Sequence, residues 1–183
     1  MKLPGLLALL VLLAAPVAAQ DFSIDYDRLF EENSDSIMVG EPGVQRLVRP
    51  WPVIVERRRG RYRAEDQSGW GPAGCALDRL FVAGAAVTAC PDLYSDDQRD
   101  RVAAQLLRGV RFFAQNTVPP MTPEAADAAM RARLADTRDR LSLVCAYGSE
   151  ELAFAAHIAE DDSIRRFERI FRTARLPITR PCR

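Results

Sequence analysis

Cys75-Ala-Leu-Asp-Arg-Leu-Phe-Val-Ala-Gly-Ala-Ala-Val-Thr-Ala-Cys90 is the stretch whose reading decides the fold. Residues 76 to 89 are apolar on almost every side, the pattern of a helix buried among neighbours. Its small residues, Ala83, Gly84, Ala85 and Ala86, let those neighbours approach closely. The uninterrupted run from Leu80 to Cys90 follows Asp78 and Arg79 and is about half the ~20 residues a membrane span needs. It reads as a core helix, and Pro91 ends it.

Downstream the signals stay helical. Ser95 with Gln98 forms a capping box, Asp96 and Asp97 favour the helix dipole, and Val102, Leu106, Val110 and Phe113 mark a buried stripe that Pro119-Pro120 closes. Thr122-Pro123-Glu124 opens a third helix with Ala126, Met130, Leu134, Leu141 and Val144 on one face and Gly148 as its C-cap. Ser149-Glu150-Glu151 starts a fourth, running to about Glu160. Asp162 or Ser163 starts a fifth. There Ile164, Phe167, Ile170, Phe171 and Ala174 share one side, while Arg165, Arg166, Arg169, Arg172 and Arg175 take the other.

Upstream the helical pattern fails. Residues 21 to 41 are acidic with few core-grade side chains and read as a solvated, partly ordered segment. Asp25-Tyr26-Asp27 begins like a calcium loop, but Phe30 stands where the turn glycine is required. Between Gly40 and Gly74, Pro42, Pro50, Pro52 and Pro72 forbid a long helix. Inside that stretch Val53-Ile54-Val55 and Arg61-Tyr62-Arg63 flank Arg58-Arg59-Gly60 as a candidate small hairpin.

The N-terminus carries an export signal. Met1-Lys2 supplies its positive end, Leu6 to Ala15 its apolar core closed by Pro16, and Val17-Ala18-Ala19 a peptidase site that makes Gln20 the expected mature start. Cleavage leaves roughly 164 residues, enough for one domain with a real core. It also removes Lys2, the single lysine, so every remaining basic side chain is an arginine and the net charge is near −1. Bulk-charge binding to nucleic acid is therefore not expected. Three segments follow: the signal over 1–19, an irregular or extended region with the candidate hairpin over 20–73, and a helical domain over 74–183.

Four cysteines in an exported chain predict two disulfides. No pair has CxxC spacing and His157 is the sole histidine, so neither a metal nor another cofactor is expected. If Cys75 and Cys90 cap one helix, 15 residues at 1.5 Å each hold them about 22 Å apart, beyond the ~7 Å a bridge spans. In an up-down arrangement the first and third helices run parallel and place Cys90 and Cys145 at one end. The expected pairing is Cys90–Cys145, leaving Cys75–Cys182 to tie the tail. The fold expected is mainly all-α: a disulfide-linked bundle of four to five helices behind the irregular N-terminal region.

Catalytic motifs are scarce. There is no G-x-S-x-G, H-E-x-x-H or phosphate-cradling glycine loop, and His157, beside Phe154 and Ile158, reads as a structural histidine. Of the acid pairs Glu31-Glu32, Asp96-Asp97, Glu150-Glu151 and Asp161-Asp162, the last three sit where helix starts want acids. No catalytic residue is assigned. Two arginine clusters remain as candidate contact surfaces for an anionic envelope component or a protein partner: Arg57, Arg58 and Arg59 around the hairpin, and Arg165, Arg169 and Arg172 on the last helix. The expectation is a soluble, non-catalytic protein of the periplasm or the secreted space that acts by interaction. The alternatives are a small cell-envelope hydrolase using carboxylates and a carrier of an apolar ligand.

Overall fold

A computed structural model describes residues 21–48, 51–146 and 149–182; the export signal, Gln20 and the expected C-cap Gly148 lie outside the described residues. Among those residues the chain forms six α-helices and one four-stranded antiparallel sheet. None of these helices is long and apolar enough to cross a membrane.

The N-terminal region is far more ordered than its composition predicts. Tyr26–Glu32 is a helix, α1, whose N-cap Asp25 accepts a hydrogen bond from the Arg28 amide, 2.9 Å away. Its seven residues bury only Leu29 and Phe30, so no periodic stripe announces it. The acids that resemble a calcium loop are spent locally: Asp25 caps α1, and Asp27 accepts from the Tyr62 hydroxyl. Strands β1 (Ile37–Val39), β2 (Val44–Leu47), β3 (Val53–Arg58) and β4 (Arg61–Asp66) pair in chain order. The expected hairpin is β3–β4. Its connecting residues Arg59 and Gly60 both take positive φ, 50° and 73°, the mirror-image turn whose twist matches the strands.

Strand alternation sorts the side chains. Leu47, Val53, Val55 and Ala64 are buried and pack with Leu29 and Phe30 of α1. Leu176 and Ile178, from the far end of the chain, complete the same cluster.

The second core is built around α2 (Ala73–Ala89), buried over most of its surface as expected. It touches α3 (Asp96–Asn116), α4 (Pro123–Leu141), α5 (Glu150–Ile158) and α6 (Asp161–Ile170). A Cβ on Gly84 would come within 3.0 Å of Leu106 and 3.1 Å of Leu134, so the glycine sets how closely α3 and α4 approach. The Ser95–Gln98 capping box is present. Phe22 packs on Phe81 and Phe113 at 5.3 and 5.2 Å, and Thr117 donates to the Ser23 carbonyl, which fastens the segment before α1 to this core.

Two helix ends differ from expectation. The third helix of the downstream series, α4, stops at Leu141, with Ser142 in the left-handed region, and Val144 is exposed rather than part of the buried face. The last helix, α6, stops at Ile170. The helical wheel therefore does not apply to residues 172–175: Ala174 is exposed, and Arg175, expected on the polar face, is 2% exposed.

Arg175 is buried and bonded on every side-chain nitrogen. Its Nε donates to Asp66 Oδ2 at 2.8 Å, Nη1 to the Ile170 carbonyl at 2.6 Å, and Nη2 to the Gly71 carbonyl at 3.2 Å. The guanidinium also lies 5.7 Å from the Phe112 ring. One cation thus caps the C-terminus of α6, where the dipole favours it, and holds the last residue of β4. Beyond it the chain runs back through the buried Leu176, Pro177 and Ile178. Gly74 donates to the Ile178 carbonyl at 3.1 Å, and a Cβ there would meet the Pro177 and Ile178 oxygens at 2.6 Å. Cys75–Cys182 and Cys90–Cys145 are the two disulfides, with Cα separations of 5.5 and 5.4 Å.

Two stability predictions follow from this packing. Arg175→Met leaves the Asp66 carboxylate buried without its cation and is expected to cost about 3–5 kcal/mol, whereas Arg175→Met with Asp66→Leu costs less than the sum of the single changes. Urea unfolding of the three variants measures this; strictly additive losses would refute the coupling. Opening Cys75–Cys182 by paired Cys→Ser changes is expected to cost about 2–5 kcal/mol. It spans 107 residues against 55 for Cys90–Cys145, so chain entropy makes its loss the larger by about 0.6 kcal/mol.

Candidate functional site

The connector between β4 and α2 begins the site. Asp66 Oδ1 accepts from the Ser68 amide at 2.8 Å, and Ser68 Oγ accepts from the Trp70 amide at 3.2 Å. Gly69 and Gly71 take φ of 80° and 87°, which lets the chain reverse on both sides of Trp70. Because Asp66 and the Gly71 carbonyl are both held by Arg175, the buried ion pair fixes the loop that carries the tryptophan. Arg169 of α6 lies over the Trp70 ring at 5.0 Å, a cation–π contact.

Facing this loop, α2, α5 and α6 enclose a cleft of about 460 Å³, within the range of small-molecule sites. Its apolar wall comes from Trp70, Phe154, Ile158, Phe167 and Ile170, and its charged groups are Glu65, Asp66, Arg79 and Arg166. Asp66 is neutralised by Arg175, with neither side chain more than 1% exposed. That leaves Arg79 and Arg166 beside Glu65, and Arg79 is itself engaged by a neighbour. Arg166 has no hydrogen-bond or ion-pair partner among the described residues.

His157 and Ser163 also line the cleft. The turn between α5 and α6 is tight: the Ala159 amide bonds to the Ala156 carbonyl and the Glu160 amide to the His157 carbonyl. His157 Nδ1 lies 2.8 Å from Glu160 Oε2, and Nε2 lies 3.4 Å from Ser163 Oγ. His157 is thus the middle member of a chain of polar groups. Ser163, expected at the start of the helix, sits in its first turn and is buried.

The predicted arginine clusters separate into different roles. Arg57 faces inward with Tyr62, its partner across the ladder. Its Nε donates to Gln45 Oε1 at 2.7 Å and its guanidinium covers Phe30 at 4.9 Å, so it is a structural residue of the sheet. Arg58 and Arg59 are exposed at the hairpin turn. They stand at the opposite end of β4 from Asp66, about 17 Å away at the strand rise. On α6, Arg165 pairs with Asp162 and Arg169 rides on Trp70. Arg172 is exposed past the helix end. The two clusters do not form one surface.

Trp70, Arg166, Ser163 and Glu160 are the site residues that sequence reasoning did not assign. The available signal was a lone tryptophan inside Gly69-Trp70-Gly71, a segment too short and glycine-rich to bury it. Asp78 is the described carboxyl held above its ordinary range; burial is the main cause, opposed by Arg133 and Arg140. It lies on α2 outside the cleft lining, paired to Arg133 at 3.3 Å. No known protein family, curated protein or solved structure matches the chain.

Asp78 supplies a pH prediction. A carboxyl whose folded pKa is raised favours folding in acid, and that contribution is lost as pH rises through its folded titration. Asp78→Asn is therefore expected to equal or slightly exceed the parent in stability at pH 7, by no more than about 0.5 kcal/mol because the pair is half exposed. The difference should vanish below about pH 3.5. Chemical denaturation at pH 3.5 and 7 checks it; a clear loss at pH 7 would mean that the Arg133 pairing outweighs burial.

Proposed function

We propose that this protein acts by interaction in the periplasm or secreted space, and that the cleft beside Trp70 takes an anionic component of that environment. The ligand class is a small amphipathic anion, a carboxylate or phosphate carried on an apolar or ring-bearing body. One observation carries the reading: Arg166, without a partner among the described residues, shares a cleft with an aromatic and aliphatic wall whose tryptophan is held by Arg169. A guanidinium offers a planar fork of donors that matches carboxylate and phosphate oxygens. Arg172, exposed just past the end of α6, adds positive potential that favours anion encounter.

The alternative of a carboxylate hydrolase gains no support from the cleft. It needs two carboxyls about 5–9.5 Å apart that are both available to a substrate, and Asp66 is committed to Arg175 and Ser68.

Tryptophan fluorescence tests the binding reading, since the only other tryptophan is Trp51. Phenyl phosphate and benzoate are expected to quench Trp70 saturably, with benzyl alcohol weaker by about tenfold, the worth of one charge-assisted hydrogen bond. Arg166→Gln should remove that preference, and Trp70→Phe the signal. Added salt should weaken the anions and not the alcohol. Equal affinity for charged and neutral compounds in the parent protein would overturn the assignment.

A further inference from the structure

The polar chain His157–Glu160–Ser163 is more than the anion site requires. All three groups come from one tight helix–turn–helix, at spacings i, i+3 and i+6. The Glu160 carboxylate, 2.8 Å from Nδ1, assigns the ring proton to that nitrogen. Nε2 is then the acceptor, and it faces the Ser163 hydroxyl at 3.4 Å. A nucleophile, a base and a group that orients the base are the parts nucleophilic catalysis needs, and in an unliganded site the nucleophile–base contact is commonly long.

Placement agrees with that assignment. Ser163 is 8% exposed and lines the cleft, while the His157 and Glu160 side chains that serve it are solvent-exposed, at 60% and 63%. A helical side chain tilts toward the helix N-terminus, as do the amide N–H groups of the first turn. No side chain caps that turn in α6. Its acids are engaged elsewhere: Asp161 bonds to Arg101 at 2.5 Å, and Asp162 pairs with Arg165. Arg166 follows Ser163 by three residues, which puts the two Cβ atoms about 5–6 Å apart on one helix face.

We propose that Ser163 is a nucleophile with His157 as its base and Glu160 as the positioning residue, and that the cleft hydrolyses small esters bearing a carboxylate. The substrate class rests on the anion-binding reading of Arg166; the nucleophile assignment does not. In the first step the Oγ–C bond forms at the ester carbonyl as the Oγ proton passes to His157 Nε2. Collapse breaks the ester C–O bond, and the alcohol leaves with that proton. Water then attacks acyl-Ser163, giving its proton to Nε2. The Oγ–acyl bond breaks, and Oγ takes the proton back as the acid departs.

The test uses the full mature chain with both disulfides intact. A fluorophosphonate is expected to add once, on Ser163 by peptide mapping. p-Nitrophenyl hemisuccinate should turn over above buffer, with kcat/KM about tenfold that of p-nitrophenyl acetate, and Arg166→Gln should abolish that ratio. Ser163→Ala removes adduct and turnover while phenyl phosphate still quenches Trp70, which shows the cleft intact. His157→Gln lowers the rate by about 10²–10⁴, and Glu160→Gln lowers kcat with KM unchanged. Absence of an adduct on the parent protein, or its persistence in Ser163→Ala, overturns the nucleophile. If phenyl phosphate still binds in that case, the anion site survives alone.

Discussion

Removing a guanidinium and a carboxylate from water together is costly, and the pair repays that cost only when the remaining donors and acceptors are also satisfied. Arg175 and Asp66 meet that condition through bonds to backbone at two distant parts of the chain, the end of α6 and the connector between β4 and α2. The Ile170 carbonyl ends the last helix, the Gly71 carbonyl lies in the connector before α2, and Ser68 uses the second Asp66 oxygen. The sheet, the central helix and the C-terminal tail therefore meet at one charged junction. The cleft wall is part of that junction, because the loop it fixes is the loop that presents Trp70.

The helical half was legible because its signals are local and redundant. A capping box, a proline at N1 and apolar stripes each mark the same boundaries. The disulfide pairing was legible in part: the rigid length of α2 forbids Cys75 from reaching Cys90, and the choice between the two pairings left rested on an assumed up-down order of the helices. What escaped reading depends on contacts between residues far apart in sequence. α1 buries two neighbouring side chains against a sheet that composition does not reveal. Arg175 carries the same charge as Arg165 and Arg172 and continues their spacing, yet its environment comes from Asp66, 109 residues earlier. Of the site, His157 was visible as a single imidazole, but its relation to Glu160 and Ser163 depends on where α6 begins.

An arginine-only surface also reads differently once placed. Arg57 and Arg175 are internal struts, several others sit in exposed pairs one helical turn apart, and such pairs contribute little stability each. Positive charge left for recognition is consequently concentrated where, among the described residues, no carboxylate answers it. Arg166 is such a place, and the exposed hairpin turn at Arg58 and Arg59 is another.

Leu176 and Ile178 belong to the apolar cluster of the N-terminal sheet, although they are made long after its strands. Strands β1 to β4 can pair early, since every connection between them is short, but their inner face has no complete cover until that later segment arrives. In a protein that emerges N-terminus first, the sheet must wait for it, and the exposed face in the interval is one that other chains can bind. The long span of Cys75–Cys182 then has a temporal meaning: it joins the opening of the helical core to the segment that ends this wait.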